Sequence, residues 1–144
     1  MLSIETMVAG SVNWANQDEE NHGTRRISDA VVTAAALIAN EIEAKLVVIG
    51  TEDGDSALLK SKHRDLIPTV AISNSPETVR KMCMYWGIIP LNGIDINQTV
   101  QLHEMINQWA KTEPDLDVGD SVVFVTDSDS IEKAHDMIIV GHIS

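Results

Sequence analysis

The chain is poor in cysteine, aromatic residues and cations, and each shortage argues against a class of protein. Cys83 is the only cysteine in 144 residues, so an internal disulfide is impossible and a reducing compartment is expected. One Phe and one Tyr leave a core that must be mainly aliphatic. Ten Lys and Arg stand against 22 Asp and Glu, which gives a net charge of −12. Nucleic acids and anionic membranes require a basic patch, so we expect neither as a partner.

The sequence also lacks a basic-then-apolar signal segment and any apolar run long enough to cross a bilayer. We therefore expect a cytoplasmic protein. With 44% hydrophobic residues, 144 residues are expected to form one domain with one substantial core. Cys83 falls inside a predicted helix, where we expect a buried structural thiol.

The segment from residue 27 to residue 91 alternates helical and strand patterns three times. Its apolar runs at 46–49, 67–73 and 88–91 are short, and a polar turn follows each. A continuously apolar strand is covered on both faces, which is typical of a parallel sheet. Ser75 is expected to cap a helix that begins at Pro76 and ends near Gly87. Apolar residues at helical spacing predict the first helix of the segment: Ile27, Val31, Ala34, Ala35, Ile38 and Ile42.

Outside that segment the pattern predicts a helix over residues 3–15 and a mobile polar loop over Asn16–Arg26. Asn97 is expected to cap a further helix. Two more strands are predicted at Ser121–Thr126 and Met137–Ile143. No internal repeat or low-complexity tract divides the chain.

Several short segments carry a family resemblance. The strongest runs from Pro76-Glu77-Thr78-Val79-Arg80-Lys81 into Tyr85-Trp86-Gly87-Ile88-Ile89-Pro90. The others follow in order along the chain: Ile27–Val32, Thr51–Ala57, Ser61–Arg64 before Ile67-Pro68, Gly119–Thr126 and Ile138–Ile143. Together they resemble the C-terminal α/β domain of pyruvate kinases over nearly the whole chain.

The resemblance implies one domain over residues 1–144, with the first helix at about 3–15 and a core α/β unit at about 24–144. It implies a three-layer α/β/α sandwich around a five-stranded mixed sheet. The strand order would be 3-2-1-4-5, with strand 5 antiparallel to the others. Strands 1 and 4 would then meet at a topological switch point, where open α/β sheets bind ligands at the carboxyl ends of their strands.

In pyruvate kinases with allosteric control, that switch point holds a sugar-phosphate effector. Backbone N–H groups and hydroxyls of the loop after strand 1 hold a phosphate at a helix N-terminus. The corresponding loop here departs from the family pattern in its charge. Three of its positions match the family pattern: Thr51, Gly54 and Ser56. Asp53 and Asp55 stand where the family has hydroxyl or basic residues, and Glu52 adds a third carboxylate. The loop after strand 4 carries Asp127 and Asp129 and contains no glycine.

These carboxylates predict that the usual effector does not bind. At an effective dielectric near 20, a unit charge about 6 Å from a phosphate repels it by roughly 3 kcal/mol before salt screening. Two readings of the acidic loops remain open. They form a solvated rim in which Asp53 or Asp55 caps the helix, or they hold a calcium or magnesium ion, although the spacing fits no EF-hand loop.

Catalysis in the family belongs to a barrel domain and its lid, together with magnesium and potassium. We therefore expect no catalytic residue, cofactor or metal ligand here. The five histidines show no zinc spacing. Three functions stay open: a regulatory and intersubunit domain, a free-standing small-molecule binding or sensor protein, and an enzyme that uses the switch-point carboxylates as acid and base.

Two kinds of protein partner are expected. One is the catalytic domain of a pyruvate kinase. The other is a second copy bound through the edge of strand 5, whose apolar residues are Ile138, Ile139, Val140 and Ile143.

Overall fold

The computed structural model describes residues 19–64, 66–93, 99–127 and 136–144. The predicted helix over 3–15 and the cap at Asn97 lie outside this part of the chain. Within it, helices and strands alternate as far as β4. In chain order they are α1 (Glu19–Glu41), β1 (Leu46–Gly50), α2 (Asp55–His63), β2 (Thr69–Ser73), α3 (Pro76–Met82), β3 (Ile88–Asn92), α4 (Thr99–Ala110), β4 (Ser121–Asp127) and β5 (Asp136–His142).

The five strands form one sheet in the order β3-β2-β1-β4-β5, which confirms the predicted topology. β1 pairs in parallel with β2 on one side and with β4 on the other, so Val48 lies between Val70 and Phe124. β5 is antiparallel to β4. All the parallel strands therefore end at the same edge, which we call the carboxyl edge. They begin at the opposite, amino-terminal edge.

Each face of the sheet packs against helices, because successive side chains of a buried strand point to opposite sides. On one face, Val47 and Ile49 of β1 pack against Ala35 and Ala39 of α1. α2 and α3 cover the same face, where Ala57 and Met82 pack on Ala71. α4 covers the other face. Its core residues contact aliphatic side chains of β1, β2 and β4 and the single phenylalanine, in a cluster that includes Leu102, Ile106, Ala110, Leu46, Val48, Ile72 and Phe124.

The helix ends follow the local sequence signals. Ser75 Oγ accepts a hydrogen bond from the Thr78 N–H at 3.4 Å, and Pro76 occupies the first turn of α3, as expected. Gly87 has φ +70°, the left-handed conformation that was predicted for it, but α3 already ends at Met82, so Gly87 turns the chain into β3 and does not end the helix. No helix in the described ranges is long and apolar enough to cross a membrane.

Two expectations about the helices are wrong. α1 begins at Glu19, so the predicted loop over Asn16–Arg26 is helical from that residue onward. Polar residues such as Glu and Arg extend a helix readily, although they add no apolar face that sequence periodicity could detect. Cys83 is exposed because α3 ends at Met82, and the buried face of α3 is formed by Thr78 and Met82, four residues apart.

Candidate functional site

The loop between β1 and α2 lies at the carboxyl edge of the central strand. Thr51 is buried at the end of β1, and the turn Glu52–Asp53 leads to Gly54, which has φ +85°. A Cβ atom on Gly54 would lie 3.4 Å from Met82 Cγ and 3.4 Å from Thr78 Cγ2. Glycine is favoured here for its left-handed backbone, and α3 packs against the loop at van der Waals distance.

Two backbone donors at the start of α2 find acceptors within the loop. The Gly54 N–H donates to Thr51 Oγ1 at 3.0 Å. The Asp55 N–H donates to Asp53 Oδ1 at 2.9 Å, and the Thr51 hydroxyl points to the same carboxylate oxygen at 3.4 Å. A phosphate at a helix N-terminus would need such donors. The Asp53 carboxylate therefore occupies one donor that an external anion would use, the Asp55 N–H, although the N-cap residue of α2 is Gly54, which makes no side-chain cap.

A second set of contacts fixes the loop to β2 and α3. The Glu52 carbonyl accepts hydrogen bonds from Thr78 Oγ1 at 2.7 Å and from Ser73 Oγ at 3.4 Å. Lys81 Nζ donates to the Asp53 carbonyl at 3.1 Å. Side chains of β2 and α3 therefore hold the backbone of Glu52 and Asp53 in place without a ligand. The Thr78 and Lys81 contacts could not be assigned from the sequence alone. The signal that points to them is the strand order, which places the loop after β2 beside the loop after β1.

The acidic side chains of this loop face solvent. Glu52, Asp53 and Asp55 are exposed, whereas Ser56 is buried in the first turn of α2. The cation Lys81 contacts the loop through the backbone carbonyl of Asp53. The structure thus brings together the predicted positions from Thr51 to Ser56 and leaves a negative surface above them.

The loop after β4 is described only at its ends. Asp127 is the last residue of β4 and pairs with Asp136 of β5. Asp129 lies outside the described residues. Thr126 is 2% exposed, and its Oγ1 atom has no hydrogen-bond partner in the described part of the chain. Sequence reasoning did not single out this hydroxyl, because a threonine at the end of an apolar strand gives no functional signal.

No group of three or more His, Cys, Asp or Glu side chains in the described ranges is placed to hold a metal ion. The three carboxylates after β1 point to solvent or to the backbone of their own loop. The cation interpretation of the acidic loops therefore has no support from the described residues.

The outer edge of β5 is the second candidate surface. In the described part of the chain β5 pairs with β4 alone, and Val140 is 49% exposed. Ile138 and Ile139 are half-buried and pack against opposite faces of the sheet. Ile143 is not available at this edge. It follows the strand, is 4% exposed, and its carbonyl accepts the Gly119 N–H at 2.7 Å.

Three comparisons place the chain among known proteins. The family model described as the alpha/beta domain of pyruvate kinase matches residues 29–140. The pyruvate kinase of Lactococcus lactis is 26% identical over 130 residues, which is 85% of this chain and 26% of that protein. The pyruvate kinase of Clostridium acetobutylicum is 26% identical over 104 residues, or 71% of this chain and 22% of that protein. The crystal structure of Cryptosporidium parvum pyruvate kinase superposes with a TM-score of 0.70 at 23% identity, covering 82% of this chain and 22% of that one.

The chain thus spans about a quarter of the length of these relatives. The likeness to the solved structure, at 23% identity, shows the shared fold.

Proposed function

The chain belongs to the family of the pyruvate kinase alpha/beta domain, and from this premise we propose that it is a regulatory and intersubunit module with no phosphoryl transfer of its own. The observation that carries the proposal is the loop after β1. It keeps the frame of a ligand-binding loop, but the carboxylate of Asp53 already accepts the Asp55 N–H. This contact and the exposed carboxylates alter the effector pocket, so we expect the module not to respond to the anionic effector of allosteric pyruvate kinases.

The charge of the described site supports the proposal. Phosphoryl transfer requires cations that hold the transferring group and its metal ions. The carboxyl edge instead presents Glu52, Asp53 and Asp55 to solvent. In the family, magnesium and potassium belong to the catalytic domain, and we propose no cofactor for this module. A cytoplasmic location fits a module of a glycolytic enzyme.

The experiment is an activity assay on the purified chain. Phosphoenolpyruvate and ADP, with magnesium and potassium, should give no pyruvate above the background in a coupled lactate dehydrogenase reaction. The matched control is Asp53→Asn, because it keeps the shape of the loop. A contaminating kinase would give equal rates in both samples. Turnover that co-purifies with the chain and changes in Asp53→Asn would refute the absence of catalysis.

The edge of β5 supports the intersubunit part of the proposal. A free edge strand exposes unpaired N–H and C=O groups, and proteins usually protect such an edge with charged residues or proline. Here Met137–Val140 carries neither a charge nor a proline. We propose that two copies pair through this edge about a two-fold axis.

A free-standing small-molecule binding protein is the alternative. The buried Thr126 hydroxyl, which has no partner among the described residues, favours it, because an orphan buried hydroxyl is costly unless a ligand or water satisfies it. A thermal-shift screen with uncharged and cationic metabolites tests this alternative. A stabilising ligand should lose its effect in Thr126→Val, which keeps the side-chain shape and removes the hydroxyl.

A further inference from the structure

The most exposed large apolar side chains of the described residues lie at the amino-terminal edge. Leu66, Met84 and Val118 are 96%, 88% and 79% exposed. They occupy the loops that enter β2, β3 and β4, so one edge of the sheet carries all three. Trp86, in the loop that enters β3, is 48% exposed. Monomeric proteins rarely expose several large apolar side chains together, and such groups mark interaction surfaces.

The charges along this edge are divided between two halves. The half at β2 and β3 is cationic, because Lys62 and Arg64 are exposed there and Asp65 is the only carboxylate in the sequence between Lys60 and Ile67. The half at β4 is acidic, because the loop of residues 111–120 carries Glu113, Asp115, Asp117 and Asp120 against Lys111. Only β1 separates β2 from β4. The segment that enters β1 carries the exposed Glu41, Glu43 and Lys45, so the division into a cationic and an acidic half holds on either side of this segment. Two strand spacings correspond to about 10 Å.

Both halves are ordered by internal contacts. Arg64 Cζ lies 5.1 Å from the centre of the Trp86 ring, and Ser61 Oγ donates to the Trp86 carbonyl at 2.8 Å. These contacts fix the end of α2 and the start of the loop entering β2 to the loop entering β3. In the acidic half, the Asp117 N–H donates to Asp120 Oδ2 at 2.8 Å, while the Asp117 side chain remains exposed. Preformed loops lower the ordering cost of an interface.

We propose that the amino-terminal edge binds a second copy of this chain. A two-fold axis in the plane of this edge, passing between the halves, exchanges their positions. It places the cationic half of each copy on the acidic half of the other, so every favourable contact occurs twice. Leu66 and Met84 of one copy would then meet Val118 of the other. A partner of unrelated sequence would not require the two halves to carry opposite charge. This contact is separate from the β5 edge and does not depend on it.

Charge reversal with mixing tests the proposal. Arg64→Glu places like charges at both symmetric contacts, and so does Asp117→Lys. Each single variant should weaken the contact by roughly 100-fold, about tenfold at each of the two sites. When the two variants are mixed, the introduced glutamate of one copy faces the introduced lysine of the other, and the second contact keeps the original pair. The mixture should therefore regain the mass of the unaltered protein.

The readout is the mass by sedimentation equilibrium at high micromolar concentration, at low and at high salt. A contact at this edge raises the mass whether or not the β5 edge is also paired, and salt should weaken it. Arg80→Glu and Glu104→Lys are matched controls, because they make the same charge changes on exposed positions of α3 and α4. Circular dichroism verifies the fold of each variant. Leu66→Ser tests the contact without changing charge, and it should also lower the mass.

Restoration of the mass in the mixture, together with its loss in the single variants, supports the proposal. It is overturned if the single variants keep the mass of the unaltered protein, or if the mixture behaves as the single variants do. Equal losses in the matched controls would also overturn it, because net charge alone would then govern the association.

Discussion

The central prediction is that Asp53 and Asp55 prevent the loop after β1 from binding an anionic effector. Replacing Asp53 by Ser and Asp55 by Arg removes the carboxylate that accepts the Asp55 N–H and adds a cation at the start of α2. We expect the unaltered chain to bind fructose 1,6-bisphosphate weakly or not at all. The double variant should bind it measurably.

The size of the effect follows from the charges. A unit charge about 6 Å from a phosphate contributes roughly 3 kcal/mol at an effective dielectric near 20, and physiological salt reduces this by about half. The double variant removes one negative charge and converts another to a positive charge. The three unit changes together favour the anion by about 4 kcal/mol, which corresponds to roughly a thousandfold in Kd.

The assay is isothermal titration calorimetry with fructose 1,6-bisphosphate and, separately, with inorganic phosphate. Glu41→Ser with Glu104→Arg is the matched control, because both positions are exposed and the net charge changes equally. It should alter affinity little, since neither side chain lies on the loop. Micromolar affinity in the unaltered chain would refute the reasoning. So would a folded double variant that binds no more tightly than the control.

Two further predictions concern assembly and stability. Val140→Lys at the β5 edge should halve the mass measured by light scattering, because a charge disfavours strand pairing, while Leu37→Lys on exposed α1 surface should not. A mass that Val140→Lys leaves unchanged would exclude pairing through β5. Ile106→Ala in the core of α4 should lower the free energy of unfolding in urea by about 3 kcal/mol, through lost burial and a cavity. Leu37→Ala, at a position 61% exposed, should cost less than about 0.5 kcal/mol. Equal costs would show that Ile106 is not a core residue.

Local sequence patterns determined the parallel strands and the helices between them, whereas the strand order was implied by the family resemblance. Continuously apolar strands such as Leu46–Gly50 require cover on both faces, and parallel pairing with helices on both sides is the arrangement that supplies it. The cap at Ser75 and the left-handed turn at Gly87 were also predictable, because both depend on neighbouring residues only. The acidic character of the loop after β1 was visible in the same way, since it is a property of composition.

Only the tertiary structure decided which side chains and backbone groups remain exposed for binding. Ile143 continues an apolar run and reads as part of an open edge, but its backbone pairs with Gly119 and Asp120 and its side chain is buried. Lys81 contacts the Asp53 carbonyl across 28 residues of chain. The two charged halves of the amino-terminal edge come from separate loops that only the strand order brings together. Local sequence patterns determine the backbone conformation of a residue, whereas its exposure to a ligand or partner depends on neighbours that are distant in sequence.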